Sequence, residues 1–212
     1  MISSYRNLTH SSIPEGLYAG ISRLPDKDKN HSAMEHSVES HSGRELLRKL
    51  ILDQYGSSKP SFTTLKNEKP SAKQNDRVLS VSFSHTSESV AAVISKKWVV
   101  GVDMESSDRK VSDRLFKRMK HENEAFKLYE RNPIIRIWTM KEAALKAIGT
   151  GLRQPMNSVN ISFVEEETFR VQFHNGIESE ITSFQKWDQW ISICYIQPEL
   201  TTSFLSDAYV PI

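Results

Sequence analysis

Two acidic segments carry residue types and spacings that suit the binding of a metal cation. The first is Val-Gly-Val-Asp-Met-Glu at 100–105, and the second is Trp-Thr-Met-Lys-Glu-Ala-Ala-Leu-Lys at 138–146. Carboxylate oxygens are the ligands that a hard cation such as Mg²⁺ prefers. If the fold brings the segments together, three carboxylates and a lysine would surround one cation: Asp103, Glu105, Glu142 and Lys146.

Segment 100–105 has the alternation of a strand with an acidic end. Successive side chains of a strand point to opposite faces, so the apolar residues at 100, 102 and 104 share one face. Gly101, Asp103 and Glu105 share the other. Two strand residues span roughly 6.5–7 Å, which lets both carboxylates reach one cation. Taken alone, this spacing favours a plainer alternative, a solvated strand end followed by a polar loop.

Segment 138–146 falls within a helix that is predicted at 133–148. Asn132 is a suitable N-cap, Pro133 suits the first helical position, and Gly149 suits the C-terminal stop. These start and stop signals flank a run with helical spacing of apolar residues. The sequence therefore predicts that this acidic segment lies on a helix and the other on a strand.

Helical spacing puts Glu142 and Lys146 in one row along the edge of the apolar face. A cleft can open at such an edge, and the glycines of 149–151 would let a ligand or a backbone approach closely. Lys141 is predicted to face inward. On spacing alone, the favoured alternative is an ordinary i to i+4 ion pair on a solvated helix face.

Two shorter segments carry polar groups that suit a phosphate. Ser84 and His85 end a predicted strand with a hydroxyl and an imidazole, although the same residues are equally consistent with a turn. Lys69 precedes Pro70, which favours an extended backbone, and without context its side chain is expected to face solvent.

A mixed scaffold of helices and strands is predicted around these residues. Ser42 and Glu45 form a capping box for a helix at 43–55, and Gly56 suits its left-handed end. A shift towards helical character is expected after residue 106. Alternation and turn residues predict eight strands, at 16–21, 61–65, 77–84, 90–95, 98–105, 158–164, 168–174 and 190–196.

Size and composition exclude some classes of protein. The chain has 212 residues and a formal net charge of +2, which argues against a dedicated nucleic-acid binder. Its only cysteine, Cys194, lies in an apolar run that predicts a packed strand residue, and it leaves no partner for a disulfide within the chain. With neither a long apolar span nor an apolar secretion signal at the start, a soluble cytoplasmic protein is expected.

In their order along the chain, these segments resemble the 4′-phosphopantetheinyl transferase superfamily, in the longer single-chain form called Sfp-type. The resemblance covers residues 69–151, and one departure from the family pattern is Glu68, where glycine is common. The matching motifs are Lys69-Pro70, Phe83-Ser84-His85, Gly101-Val102-Asp103-Met104-Glu105, Trp138-Thr139-Met140-Lys141-Glu142-Ala143, and Lys146.

The resemblance implies an α+β fold of two similar halves related by a pseudo-two-fold, with the active site between them. Residues 1–98 would form the N-terminal half with the coenzyme A contacts, and residues 99–212 the half with the metal and catalytic residues. A monomer is expected. Basic residues of the N-terminal half would bind the 3′-phosphate of coenzyme A, and the candidates are Lys27, Lys29, Arg44 and Arg48.

The activity implied is transfer of the phosphopantetheine arm of coenzyme A to a serine of an acyl or peptidyl carrier protein, with release of adenosine 3′,5′-bisphosphate. By resemblance, Glu142 would be the base for that serine, and Lys146 would neutralise or protonate the departing phosphate. The remaining roles concern binding: Asp103, Glu105 and Glu142 would hold Mg²⁺, and Lys69, Ser84 and His85 would contact coenzyme A.

Carrier proteins of this system present an acidic helix, so the basic run at 109–120 is a candidate docking face, with an ordinary solvated helix as the alternative. A non-catalytic protein of the same fold that binds coenzyme A or a carrier protein is the rival function. A phosphate-binding or nucleic-acid-binding module would need a larger basic excess than this chain has.

Overall fold

A computed structural model describes residues 2, 4–24, 35–56, 60–63, 69–74 and 77–201. Among these residues, helices and two antiparallel sheets confirm the predicted α+β class. None of the described helices combines the length and the apolarity that spanning a bilayer requires. Lys27, Lys29 and Glu68, which were singled out above, lie outside the described residues.

The first sheet is formed by six strands in the order β1-β2-β6-β5-β4-β3. Two of them, β1 and β4, were not predicted from the sequence, because they are short and largely polar. The strands are β1 (Arg6–Asn7), β2 (Leu17–Arg23), β3 (Ser61–Thr63), β4 (Ser71–Gln74), β5 (Arg77–His85) and β6 (Ser89–Ser95).

The second sheet is formed by five strands in the order β7-β11-β10-β9-β8. The sequence missed β10, because its buried centre includes Thr182 and Ser183, which interrupt the apolar alternation. Cys194 is buried in β11, as predicted. The strands are β7 (Val99–Ser106), β8 (Val159–Glu165), β9 (Thr168–Phe173), β10 (Glu178–Lys186) and β11 (Gln189–Ile196).

Helix α1 (Glu35–Tyr55) packs on the first sheet through a buried stripe of leucine and isoleucine. It begins well before the predicted start at Gly43, so the capping box assigned to Ser42 and Glu45 is wrong. Its first two turns are polar apart from Val38, and without an apolar stripe there the sequence offered no helical signal. Its predicted end is confirmed, since Gly56 has a φ of +95°.

Helix α4 (Ile134–Ile148) packs on β7 and β11 of the second sheet. Its end is as predicted, because Gly149 has a left-handed φ of +79°. The N-cap assigned to Asn132 is wrong, since Pro133 takes the cap position. The Asn132 side chain is instead engaged by buried Arg136, whose Nη1 donates to Asn132 Oδ1 at 2.9 Å.

The two sheets meet at β7, whose faces differ as predicted. The face with Val100, Val102 and Met104 packs against β6 of the first sheet and β11 of the second in one buried cluster. The other face carries Gly101 and Asp103 and lies towards α4. Strand β7 therefore belongs to the second sheet but is also packed against the first.

Gly101 sets the distance between β7 and α4, so Gly101→Ala is expected to destabilise the protein. A Cβ at this position would lie 2.1 Å from Ala143 O and 2.4 Å from Ala147 N, both backbone atoms of α4. Since the helix backbone cannot yield locally, α4 must move outward, at a cost of about 1–3 kcal/mol in the free energy of unfolding. Urea unfolding followed by circular dichroism measures this, and an unchanged midpoint would contradict the tight packing.

Candidate active site

Asp103 is the centre of a polar cluster in which three elements meet. It lies on β7 and is 5% exposed. Its Oδ1 accepts a hydrogen bond from Lys146 Nζ of α4 at 2.7 Å and another from Ser84 Oγ of β5 at 2.8 Å. Lys146 Nζ also donates to Ser84 Oγ at 3.1 Å. The structure thus brings together three residues that the sequence singled out separately.

Alternate serines of β5 connect the two sheets beside this cluster. Ser80 Oγ accepts from Val100 N at 3.0 Å, and Ser82 Oγ accepts from Val102 N at 3.1 Å. With Ser84, these hydroxyls lie on one face of β5 and bond to β7. Sequence reasoning missed this contact, although the Ser-x-Ser-x-Ser alternation at 80–84 was a visible signal of one polar strand face.

Glu142 lies on α4 one turn before Lys146 and is 8% exposed. Burial, and to a lesser extent the Asp103 carboxylate, raise the pKa of Glu142 to about 7, with a smaller contribution from Glu105. The other two carboxylates predicted to meet, Asp103 and Glu105, therefore both act on the carboxyl group of Glu142. A carboxyl group with a pKa near neutrality suits a general base.

Glu105 is held at the end of β7 by Arg109, which forms an ion pair with its Oε1. The Arg109 guanidinium also lies 5.6 Å from the centroid of the Trp138 ring on α4. Arg109 therefore connects the strand end to the start of the acidic helical segment. Sequence reasoning gave Arg109 only a surface role, because its partners are set by the turn after β7.

The carboxylates suit a hard cation by type and charge, but they are not arranged around one point. Among the described residues, no group of three His, Cys, Asp or Glu side chains is placed as a bound metal requires. Asp103 Oδ2 is nevertheless buried without a hydrogen-bond partner, which leaves one acceptor for a cation. A cation bound by all three carboxylates would compete with Lys146 for Asp103 and with Arg109 for Glu105.

A cavity of about 240 Å³ opens beside the cluster. It reaches Lys146 and lies between the first sheet and the end of α4, so a ligand in it would lie close to the polar cluster. Its lining comprises Lys69, Pro70, Val81, Ser82, Phe83, Lys146, Gly149 and Gly151. His85 is half-buried at the end of β5.

Lys69 does not face solvent, and that expectation from the isolated sequence is wrong. The residue is half-buried overall, but its Nζ donates to Val100 O on β7 and to Ala147 O on α4, the latter at 3.0 Å. Burial lowers the pKa of Lys69 to about 7. The ammonium group of Lys69 is therefore directed into the protein.

Lys141 faces inward, as the helical projection predicted, and is fully buried. Its Nζ pairs with Glu124 Oε1 at 2.6 Å and donates to Met119 O and Val159 O, each at 2.7 Å. Burial lowers the pKa of Lys141, while Glu124 opposes that effect. Lys141 therefore joins α4 to its neighbouring segments, and the sequence offered no signal that identified Glu124 as its partner.

Comparison with known proteins agrees with this arrangement. Residues 99–196 match the 4′-phosphopantetheinyl transferase superfamily, so the matched segment begins with β7 and ends with β11. Over 154 residues the chain is 31% identical to the 4′-phosphopantetheinyl transferase gsp of Aneurinibacillus migulanus, and the match covers 68% of this chain. The chain spans 61% of the length of that curated relative. The resemblance predicted from the sequence is confirmed.

Proposed function

Because the chain carries a domain of the 4′-phosphopantetheinyl transferase superfamily at residues 99–196, we propose that it moves the phosphopantetheine arm of coenzyme A to a serine of an apo acyl or peptidyl carrier protein. The cluster of Asp103, Lys146 and Ser84 at the junction of the sheets carries this proposal. It puts a carboxylate, a cation and a hydroxyl beside a cavity, which is the chemistry that transfer of a phosphoryl group needs.

In the proposed reaction, the serine Oγ of the carrier attacks the β-phosphorus of coenzyme A. A new O–P bond forms as the P–O bond to adenosine 3′,5′-bisphosphate breaks. Glu142, whose pKa is about 7, accepts the serine proton directly or through water. Lys146 neutralises the charge that develops on the departing phosphate.

Asp103, Glu105 and Glu142 would hold the Mg²⁺ of this reaction, with pyrophosphate oxygens and water completing its coordination. Bound there, the ion would offset negative charge on the pyrophosphate. The mutual repulsion that helps raise the pKa of Glu142 supports this assignment, because a cation relieves it. Ser84 and His85, at the end of β5, are the proposed contacts to the phosphates of coenzyme A.

A surface rich in exposed basic residues lies beside the site and suits an acidic partner. It includes helix α2 (Asp113–Met119), whose N-cap is Ser112; the Oγ of Ser112 accepts a hydrogen bond from Leu115 N at 3.3 Å. We propose this surface as the docking face for the acidic helix of the carrier protein, which would make association sensitive to salt. Its exposed basic residues are Arg109, Lys110, Arg114, Lys117, Arg118 and Lys120.

Carrier loading tests the proposal directly. Apo carrier proteins from fatty-acid, polyketide and nonribosomal-peptide synthesis are incubated with the protein, coenzyme A and Mg²⁺, and their intact masses are measured. We expect at least one carrier to gain the mass of one phosphopantetheine arm, and we expect EDTA to prevent the gain. A carrier whose target serine is replaced by alanine is the matched control.

The rival function, a non-catalytic protein that binds coenzyme A or a carrier, predicts a different result. Coenzyme A would bind, as measured by calorimetry, while no carrier gained mass with Mg²⁺ present. The intact set of Asp103, Glu105, Glu142 and Lys146 favours the transferase. Mass gain that persisted fully in EDTA would contradict the Mg²⁺ assignment while leaving the transfer itself in place.

A further inference from the structure

Lys69 belongs to the segment that leads into β4 of the first sheet, yet its side chain ends in the second half of the fold. Its Nζ bonds to carbonyls of β7 and α4, which lie 31 and 78 residues away along the chain. The backbones are also close, because a Cβ on Gly149 would lie 3.4 Å from Lys69 N and 3.6 Å from Lys69 Cα. This segment is therefore held closely against the end of α4.

The two acceptors of Lys69 are backbone carbonyls of two different elements, β7 and α4. Ala147 O is one of the last four carbonyls of α4, which have no partner within the helix. A lysine at a helix C-terminus also interacts favourably with the helix dipole. Val100 lies on β7, and its N–H is already bound by Ser80 of the first sheet. Residues of the first half thus satisfy both backbone groups of Val100.

Both acceptors lie close in sequence to residues of the polar cluster around Asp103. Val100 lies three residues before Asp103, and Ala147 directly follows Lys146. The carboxylate and the lysine that these two segments carry are in contact at 2.7 Å. A single ammonium group therefore connects the strand that holds Asp103 to the helical turn that holds Lys146.

We propose that Lys69 is a positioning residue, which ties β7 to the C-terminal end of α4 and so holds Lys146 against Asp103, instead of binding a phosphate of coenzyme A. This inference rests on the proposed function for its consequence in catalysis, but the contact itself does not depend on that function. It replaces the coenzyme A contact that the family resemblance implied for Lys69.

The environment of Lys69 supports a hydrogen-bonding role over a phosphate contact. Burial lowers its pKa to about 7, and the nearby Cys194 thiol opposes this only in part. A lysine that is neutral in part of the molecules near pH 7 still donates N–H groups to two carbonyls, whereas attraction to a phosphate needs its charge. Lys69 lines the cavity, but its Nζ is engaged by the carbonyls of Val100 and Ala147.

Lys69→Met tests the proposal, because it keeps the length of the side chain and removes its donors. We expect kcat for carrier loading to fall about tenfold or more, since a small misplacement of reacting groups is costly. The KM for coenzyme A and its Kd from calorimetry should stay within about twofold. Lys73→Met, at an exposed position of β4, is the matched control and should leave both constants unchanged.

Hydrogen–deuterium exchange gives a readout that does not depend on catalysis. In Lys69→Met, amides of β7 and of the last turn of α4 should exchange faster than in wild type, and those of β8 and β9 should not. If the wild-type protein loaded no carrier, the proposed function would fail while this measurement still decided the role of Lys69. Lys69→Gln, which keeps N–H donors on a shorter side chain, serves if Lys69→Met does not fold.

Two results would overturn the proposal. A rise of about tenfold or more in the KM and Kd for coenzyme A, with kcat unchanged, would show that Lys69 binds coenzyme A. Unchanged kcat together with unchanged exchange at both segments would show that the contact does not position the cluster.

Discussion

Replacement of Glu142 by glutamine is expected to lower the turnover of carrier loading by about 10³-fold or more at saturating Mg²⁺. Glu142 is buried, and its raised pKa of about 7 equips it to accept a proton near neutral pH. Glutamine is almost the same size but cannot accept that proton, and it is a weaker ligand for a hard cation. Intact-mass measurement of carrier loading at several times gives the rate.

Glu122→Gln is a suitable control for this variant, because Glu122 is exposed and does not belong to the polar cluster around Asp103. Its turnover should equal that of the wild type. Near-normal turnover of Glu142→Gln would contradict both roles proposed for Glu142, as base and as metal ligand. Binding of coenzyme A to Glu142→Gln should be weakened far less than turnover, which separates a catalytic defect from a misfolded site.

The same variant should be more stable than the wild type when metal is absent. Because the pKa of Glu142 is higher in the folded protein than its ordinary value, its contribution to stability is complete at low pH and is lost as the pH rises towards 7. Glutamine carries no charge at any pH. Above pH 7, thermal unfolding in EDTA should therefore occur at a higher temperature for Glu142→Gln, and the difference should vanish near pH 4.

Replacement of Lys141 by methionine is expected to lower the free energy of unfolding by about 3–5 kcal/mol. The ammonium and the Glu124 carboxylate are both fully buried and lie 2.6 Å apart, so removal of one leaves the other as an uncompensated charge. Two backbone carbonyls, Met119 O and Val159 O, would also lose their donor. Urea unfolding followed by circular dichroism measures the change.

A double-mutant cycle distinguishes the ion pair from the packing of the lysine stem. If the buried charge is the main cost, Lys141→Met combined with Glu124→Gln should lose less stability than the two single changes added together. Lys127→Met, at an exposed position of helix α3 (Phe126–Arg131), should change stability by less than about 0.5 kcal/mol. A loss below about 1 kcal/mol in Lys141→Met would contradict the importance of the pair.

Local rules of the chain predicted the parts of the site that depend on neighbouring residues. Alternation along a strand put Asp103 on the face opposite Val102. Helical spacing put Glu142 and Lys146 on one edge of the apolar face of the helix. Both assignments agree with the observed packing. Gly149 ended the helix where expected, because a positive φ is readily accessible to glycine. Periods of two and of 3.6 residues are local properties, so a sequence displays them directly.

The contacts that complete the site depended on tertiary structure. Ser84 and Lys146 meet Asp103 across 19 and 43 residues of chain, and Lys69 reaches Ala147 across 78. Nothing in local spacing specifies which buried carbonyl a lysine finds or which carboxylate pairs with Lys141. The segments at 100–105 and 138–146 determined by themselves that the site has carboxylates on a strand, and a carboxylate and lysines on a helix. Their partners, burial and pKa values were decided by the packing of the two sheets at β7, because desolvation and hydrogen bonding exist only once distant segments are in contact.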